Sequence, residues 1–384
     1  MQTPPLALYV HLPWCVRKCP YCDFNSHSAP NGAPRERYVS ALLADLDAEA
    51  TRAPERPLVS VFLGGGTPSL FPPEDIARLV TGIRQRFELE PSAEITMEAN
   101  PGTVECGDPA GYRDAGINRL SIGAQSFDAA MLRTLGRIHS VEDIVRAVED
   151  AMQAGFDNFN LDLMYGLPGQ DVAAAMQDLR AAAELQPTHI SWYQLTLEPN
   201  TIFHARPPAG LPDNDAGYEI QSAGQALLRD MGYQQYETSA YAKGNERRSV
   251  HNLNYWSFGD YLAAGAGAHG KFSDGQGVHR YTKPANPLKY MEQMEQGTQP
   301  QALNTLDEPE LVFEFMLNAL RLSDGFAEDL FVSRTGLDSA SLVDGLARAR
   351  QKGLIEEVSG GFWRATELGQ RFLNDLQAEF LPAA

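Results

Sequence analysis

Residues 6–22 read LALYVHLPWCVRKCPYC. The first part, Leu6–Leu12, is a short apolar run with β-branched and aromatic members, the pattern of a buried strand. The second part follows at once and places Cys15, Cys19 and Cys22 in a C-x3-C-x2-C spacing. A strand therefore delivers a cysteine loop from its carboxyl end. The same arrangement repeats down the chain. Apolar runs recur at Val59–Leu63, Glu94–Glu98, Arg119–Gly123, Phe159–Met164 and Ile190–Leu197, with helical patterns between them. The clearest helix has a capping box at Ser140 and Asp143, with Val141, Ile144, Val145, Val148 and Met152 on one face. Six strands alternating with helices predict right-handed βαβ units, in a barrel or an open parallel sheet. Ligands collect at the carboxyl ends of such strands. The suggestive segments fall there: His11–Cys22, Gly64–Ser69, Glu98–Pro101, Gly123–Ser126 and Asp162–Gly169.

Past residue 240 the pattern changes. Residues 241–304 are rich in Tyr, Asn, Gly and His and weakly periodic, and are expected to connect two units. Ala205–Asp215, with Pro207 and Pro208, reads as an extended loop. From residue 305, Leu311, Phe315 and Leu322 follow a helical pattern after Pro309. Short helices are expected near Ala327–Arg334 and Ser339–Lys352, then a hairpin turning at Gly360-Gly361, then a last helix over Glu367–Phe380. Helix, helix, hairpin is winged-helix-like. The fold class is α/β, a partial barrel of six β/α units over residues 1–240, a connecting segment at 241–304 and a helical, winged-helix-like domain at 305–384.

The 384 residues carry a net charge of −19 and are 43% hydrophobic. Acidic balance opposes a sequence-independent grip on phosphate backbones and docking on anionic membranes. No apolar run approaches the ~18 residues of a membrane span, and the N-terminus has no basic region of the signal-peptide kind. Four cysteines, three of them crowded together, do not make a disulfide framework and suit a reducing, cytoplasmic setting. The basic residues of the tail (Arg334, Arg348, Arg350, Lys352, Arg364, Arg371) are interleaved with acidic ones, so a lid or partner-docking role is preferred to nucleic-acid binding.

Three thiolates on one loop can hold three irons of a cubane and leave the fourth open to a small chelating molecule. The alternative is zinc with His11 or His27 as fourth ligand. Structural zinc more often draws its ligands as two separated pairs, which favours iron–sulfur.

With Tyr21 before the third cysteine, the motif resembles the radical S-adenosylmethionine (radical SAM) superfamily. The resemblance implies a [4Fe–4S] cluster on Cys15, Cys19 and Cys22, whose open iron is chelated by S-adenosylmethionine. It also implies that Tyr9, Tyr21, Gly65, Gly66, Thr67, Glu98, Gln125, Arg137 and Asp162 match positions that hold that molecule. Carboxylates suit its ribose hydroxyls and amine, and arginine suits its carboxylate.

Over nearly the whole chain the segments YVHLPWC, FLGGGTPS, MEANPGT, LSIGAQSF and DLMYGLPGQ resemble the oxygen-independent coproporphyrinogen III dehydrogenase family. That pattern carries a fourth cysteine where this chain has Phe24, and a longer arm than the 14 residues before Cys15. His251-Asn252-Leu253-Asn254-Tyr255-Trp256 resembles the H-N-x-x-Y-W motif of the family's haem chaperone branch. The resemblance implies haem at His251, flanked by aromatic side chains, and transfer of haem to an acceptor protein, with a reductant protein as a further partner. Read without the family, a lone histidine beside aromatics is more often a packing residue. Two other activities stay open: the dehydrogenase reaction itself, and nucleic-acid modification through the tail. Cys106 reads as a spare thiol, His139 and His269 as structural, Met164 and Tyr165 as core. The Gly-rich Gly265–Lys271 lacks P-loop spacing and reads as close packing at the cavity edge.

Overall fold

The computed structural model describes residues 2–29, 32–102, 107–297 and 303–382. Cys106 lies outside the described residues. Six strands, β1 (Leu6–Leu12), β2 (Leu58–Gly65), β3 (Leu89–Ala99), β4 (Arg119–Gln125), β5 (Phe159–Tyr165) and β6 (His189–Gln194), pair in parallel in chain order. β1 is buried throughout except at Tyr9, as a strand covered on both faces must be. Helices Arg35–Ala50, Pro73–Arg86, Val141–Gln153 and Val172–Glu184 connect these strands. Ser140 and Asp143 form the capping box of the third. Its buried stripe is Ile144, Val148 and Ala151, whereas Met152 is 49% exposed. The stripe thus steps four and three residues to Ala151, leaving Met152 on the wet side.

The sheet continues beyond the six. β7 (Gln234–Glu237) and β8 (Ala240–Ala242) pair antiparallel beside β6. On the other side, β9 (Asp260–Ala264) pairs parallel with β1 and is followed antiparallel by β10 (His269–Asp274), β11 (Gly277–Thr282) and β12 (Asn304–Thr305). The order is β12-β11-β10-β9-β1-β2-β3-β4-β5-β6-β8-β7, an open sheet rather than a closed barrel.

Most of residues 241–304 are therefore regular structure. Periodicity was weak because β9 is buried on both faces and because β10 and the end of β11 carry buried cations. Lys283 reaches Asp45 at 2.6 Å and Glu49 at 2.7 Å on the first helix, and Tyr290 donates to Asp45 at 2.8 Å. Lys271 and Arg56 reach Asp260 at 3.2 and 2.9 Å. Such charges are tolerated inside only when paired; Lys283 and Tyr290 fasten the added segment to helix Arg35–Ala50, and Lys271 ties β10 to β9. The expected extended loop is irregular from 206 to 213, between the short helix Ile202–Ala205 and helix Asn214–Asp230.

The C-terminal domain starts with helix Glu308–Ala319, capped by the Asp307 and Glu310 pair. Leu322 lies past its end, in a bridge with Glu237. Helices Glu328–Thr335 and Val343–Gln351 follow, then β14 (Ile355–Ser359) and β15 (Phe362–Ala365), with β13 (Phe326–Ala327) on the outer side of β15. The expected last helix breaks at Phe372, which leaves helical dihedrals, into Glu367–Arg371 and Leu373–Ala378. Phe315, Phe326, Phe331 and Trp363 build this domain's core, which runs on to Phe258 and Val278 of the sheet unit.

Candidate functional site

The carboxyl ends of β1–β5 open into one cavity of about 480 Å3. Cys15, Cys19 and Cys22 line it, with Tyr21, Gly65, Gly66, Thr67, Glu98, Gln125, Arg137 and Asp162. All the residues matched to the S-adenosylmethionine positions except Tyr9 are thus brought together around the cysteine loop.

Backbone constraints hold that loop. Gly66 N–H donates to the Leu12 carbonyl and Thr67 N–H to that of Trp14, both at 2.8 Å. A Cβ at Gly66 would come within 2.7 Å of the Pro13 carbonyl carbon and the Trp14 oxygen, so only glycine fits there. Trp14–Cys15 also pairs with His27–Ser28. Arg137 donates to Cys19 Sγ at 3.5 Å, to Asn100 Oδ1 at 2.6 Å and to the Gly123 carbonyl at 3.1 Å. Asn100 in turn donates to Thr67 Oγ1 at 3.0 Å. Asn100 and Tyr193, which donates to Gln125 Oε1 at 2.8 Å, were not singled out from sequence. Asn100 stands two residues beyond Glu98 at the same strand end, and that position was the available signal.

Glu98 and Asp162 face this cavity, and Glu237, paired with Arg321 at 3.2 Å, lines it as well. Gly65 N–H donates to Glu98 Oε2 at 3.0 Å. Burial, and then the Asp162 carboxylate, push Glu98 up to about 7. Asp162 accepts from Ser121 at 3.0 Å and from Asn160 at 2.8 Å, and burial still raises it above the ordinary carboxylate range. Both groups favour a cationic or hydroxyl-bearing ligand, which would satisfy them on ionisation.

A second cavity, about 540 Å3, adjoins the first and shares Phe24, Gly65, Glu98 and Asn252 with it. Tyr9 lies here, its hydroxyl 3.0 Å from His11 Nδ1. So does His251, on the short helix Val250–Trp256 with Ser249 as N-cap. The residue is 8% exposed, with Nδ1 3.2 Å from Ser60 Oγ and the ring centroid 5.0 Å from that of Phe62. Burial and the Arg119 guanidinium hold it down to about 4, so the imidazole is neutral at neutral pH. Tyr255 stacks on Tyr261 at 4.5 Å along the same wall. Trp256 points to the first cavity and carries the Arg321 guanidinium on its ring at 4.3 Å.

The donor set fits an iron–sulfur cluster better than zinc. Three thiols line one cavity, yet among the described residues no three ligating side chains converge to hold a single ion. A cubane asks for one thiolate on each of three irons rather than for such convergence. The histidines that a zinc site needs are engaged elsewhere: His11 with Tyr9 and the Asn25 carbonyl, His27 with Asn25 Oδ1. Of the remaining expectations, His139 approaches the Ala124 carbonyl at 3.3 Å and Met164 and Tyr165 are buried, as packing residues should be. His269 instead stands exposed on the second cavity.

Comparison with known proteins agrees with this architecture. The model of the radical SAM superfamily matches residues 9–182, and that of the HemN C-terminal domain matches residues 306–372. The chain is 47% identical over 383 residues to the heme chaperone HemW of Escherichia coli, covering 99% of each. It is 48% identical over 385 residues to the heme chaperone HemW of Haemophilus influenzae, again covering 99% of each. The solved structure of coproporphyrinogen III oxidase (HemN) from Escherichia coli superposes with a TM-score of 0.82 at 24% identity, over 98% of this chain and 90% of that one, a likeness of fold. With its cysteine loop on the first strand, its H-N-x-x-Y-W helix beside that loop and its full-length likeness to these relatives, the chain belongs to the HemW family of the radical SAM superfamily.

Proposed function

We propose that this protein is a haem chaperone that receives haem in the His251 cavity and passes it to an acceptor protein. The observation that carries the reading is the adjacency of two cavities. One is lined by three thiols and the carboxyls of Glu98 and Asp162 among others, the other by aromatic faces and histidines that include the neutral His251, and they meet at Gly65 and Glu98. The relatives' name, heme chaperone, supports it. Cys15, Cys19 and Cys22 would hold a [4Fe–4S] cluster. Tyr21, Gly65, Gly66, Thr67, Glu98, Gln125, Arg137 and Asp162 would surround S-adenosylmethionine, with Tyr9 reaching it from the second cavity. When bound, this pair supplies one-electron radical chemistry.

The chain's own residues do the positioning. Arg137 donates to Cys19 Sγ while its other bonds to Asn100 and Gly123 hold it in place. Glu98 and Asp162 present carboxyls to ribose hydroxyls or an amine. His251 keeps an imidazole lone pair available because burial keeps the ring neutral, while Ser60 fixes its Nδ1 side and leaves Nε2 as the ligating nitrogen. Phe62 and Tyr255 supply apolar faces for a porphyrin. Reduced cysteines of this kind suit the cytoplasm, where a reductant protein would keep the cluster reduced. Among the described residues no helix is long and apolar enough to cross a membrane.

The test is haem handover. Protein reconstituted anaerobically and loaded with one equivalent of haemin is mixed with an apo-haem protein, and the acceptor's Soret spectrum is followed. Saturable loading and transfer faster than from free haemin support the reading. No saturable loading, together with conversion of coproporphyrinogen III, would replace it by the dehydrogenase reaction.

A further inference from the structure

Three histidines line the second cavity, and they are not equivalent. His11 is 4% exposed, and both ring nitrogens are engaged, by the Tyr9 hydroxyl and the Asn25 carbonyl, each at 3.0 Å. His251 is buried on the cavity wall, with one nitrogen committed to Ser60. His269 differs from both. It opens β10 directly after the turn formed by Gly265 and Gly267, both in the left-handed region (φ 106° and 75°). It is exposed, and its ring makes no hydrogen bond among the described residues. It nevertheless lies on the same cavity as Tyr9, Phe62, Tyr255 and His251.

Neither side of that turn is loose. A Cβ at Gly265 would meet the His11 carbonyl oxygen at 2.4 Å, and one at Gly267 the Asn25 side chain at 2.3 Å. The glycines let the turn press against the strand and loop that lead to and from the cysteines. Asn25 also donates to the Ala266 carbonyl at 2.9 Å. The turn therefore aims His269 from a fixed backbone, which a histidine with no structural bond of its own does not need for folding. Partial burial and Arg280 lower its affinity for a proton, which keeps a lone pair free near neutral pH.

We propose that His269 supplies a second iron-ligating imidazole to haem held in this cavity, alongside His251. This rests on the haem reading above. Two imidazoles on one ferric haem give a six-coordinate, low-spin iron; one alone leaves an open or water-filled position.

The experiment is an anaerobic haemin titration of the full chain, as wild type, His269→Ala and His251→Ala, with absorbance and electron paramagnetic resonance spectra of each complex. The expected wild-type complex is low-spin. His269→Ala should still bind, at least fivefold more weakly, and turn high-spin, and added imidazole should restore the low-spin signal. His269 is exposed, so its loss should leave thermal unfolding unchanged. If His269→Ala keeps wild-type affinity and spin state while His251→Ala loses both, this inference falls and the haem reading stands. If wild type itself shows no saturable haemin binding, both fall together.

Discussion

Glu94, on β3, accepts the backbone N–H of His251 at 3.3 Å. The same carboxylate accepts the Val250 N–H at 3.2 Å and the Ser249 hydroxyl at 3.3 Å, and the Arg119 guanidinium lies 3.7 Å behind it. One buried acid thus ties the start of the H-N-x-x-Y-W helix to the central sheet. That helix spans only seven residues, too short to persist without tertiary support. Glu94→Ala removes a charged acceptor from three donors and leaves Arg119 without its anion. The expected loss is about 2 kcal/mol in urea unfolding, with a smaller loss for Glu94→Gln. Haemin affinity should fall with it, because His251 is no longer held on Ser60.

Glu98 sets a pH dependence. Its ordinary value is 4.5 and the folded protein raises it to about 7, chiefly by burial. Between those values the unfolded chain releases the proton and the folded chain keeps it. Stability from this group is therefore full below pH 4.5 and is lost as pH rises through about 7, by up to about 3 kcal/mol. Glu98→Gln should flatten this part of the profile in urea unfolding of the metal-free protein at a series of pH values. A cationic ligand beside Glu98 favours its ionised form, so S-adenosylmethionine affinity should rise with pH through 7 in wild type and stay level in the variant.

The thiol that accepts from Arg137 belongs to Cys19. Cys19→Ser is expected to abolish iron–sulfur absorbance after anaerobic reconstitution and, with it, S-adenosylmethionine binding in equilibrium dialysis. Arg137→Lys keeps the charge but cannot reach Cys19, Asn100 and Gly123 at once. It should retain the cluster while weakening S-adenosylmethionine binding about tenfold, the worth of one charge-assisted contact.

Gly66→Ala tests how tightly the cysteine loop is seated. Its Cβ would stand within 2.7 Å of backbone atoms of Pro13 and Trp14, which cannot give way without moving Cys15. Unfolding stability should drop by about 1–3 kcal/mol, and iron content per chain should fall. A variant with wild-type stability and full iron content would show that the loop is loosely held.

The parallel core was legible because strands buried on both faces write themselves as continuous apolar runs, and because the cysteines and carboxyls sit where those runs end. The added strands β9–β12 were not. Lys271 and Lys283 break any apolar pattern, and the partners of Lys283, Asp45 and Glu49, are distant in sequence. One local signal was available: the two residues Gly275 and Gln276 between two extended segments, a hairpin connection. Glu94 could not be singled out either, since nothing in its own strand reveals that Ser249, Val250 and His251 arrive above it. The split at Phe372 and the exposure of Met152 are boundary details, which tertiary packing decides.

The most direct test is a haemin titration of wild type, His251→Ala and Cys19→Ser side by side, anaerobically, following the Soret band. The expected result is a saturating, near-stoichiometric band in wild type, a weakened and shifted band in His251→Ala, and substantial retention in Cys19→Ser, since the histidine and the thiols line separate cavities. Identical curves for wild type and His251→Ala would contradict the assignment of the second cavity to haem.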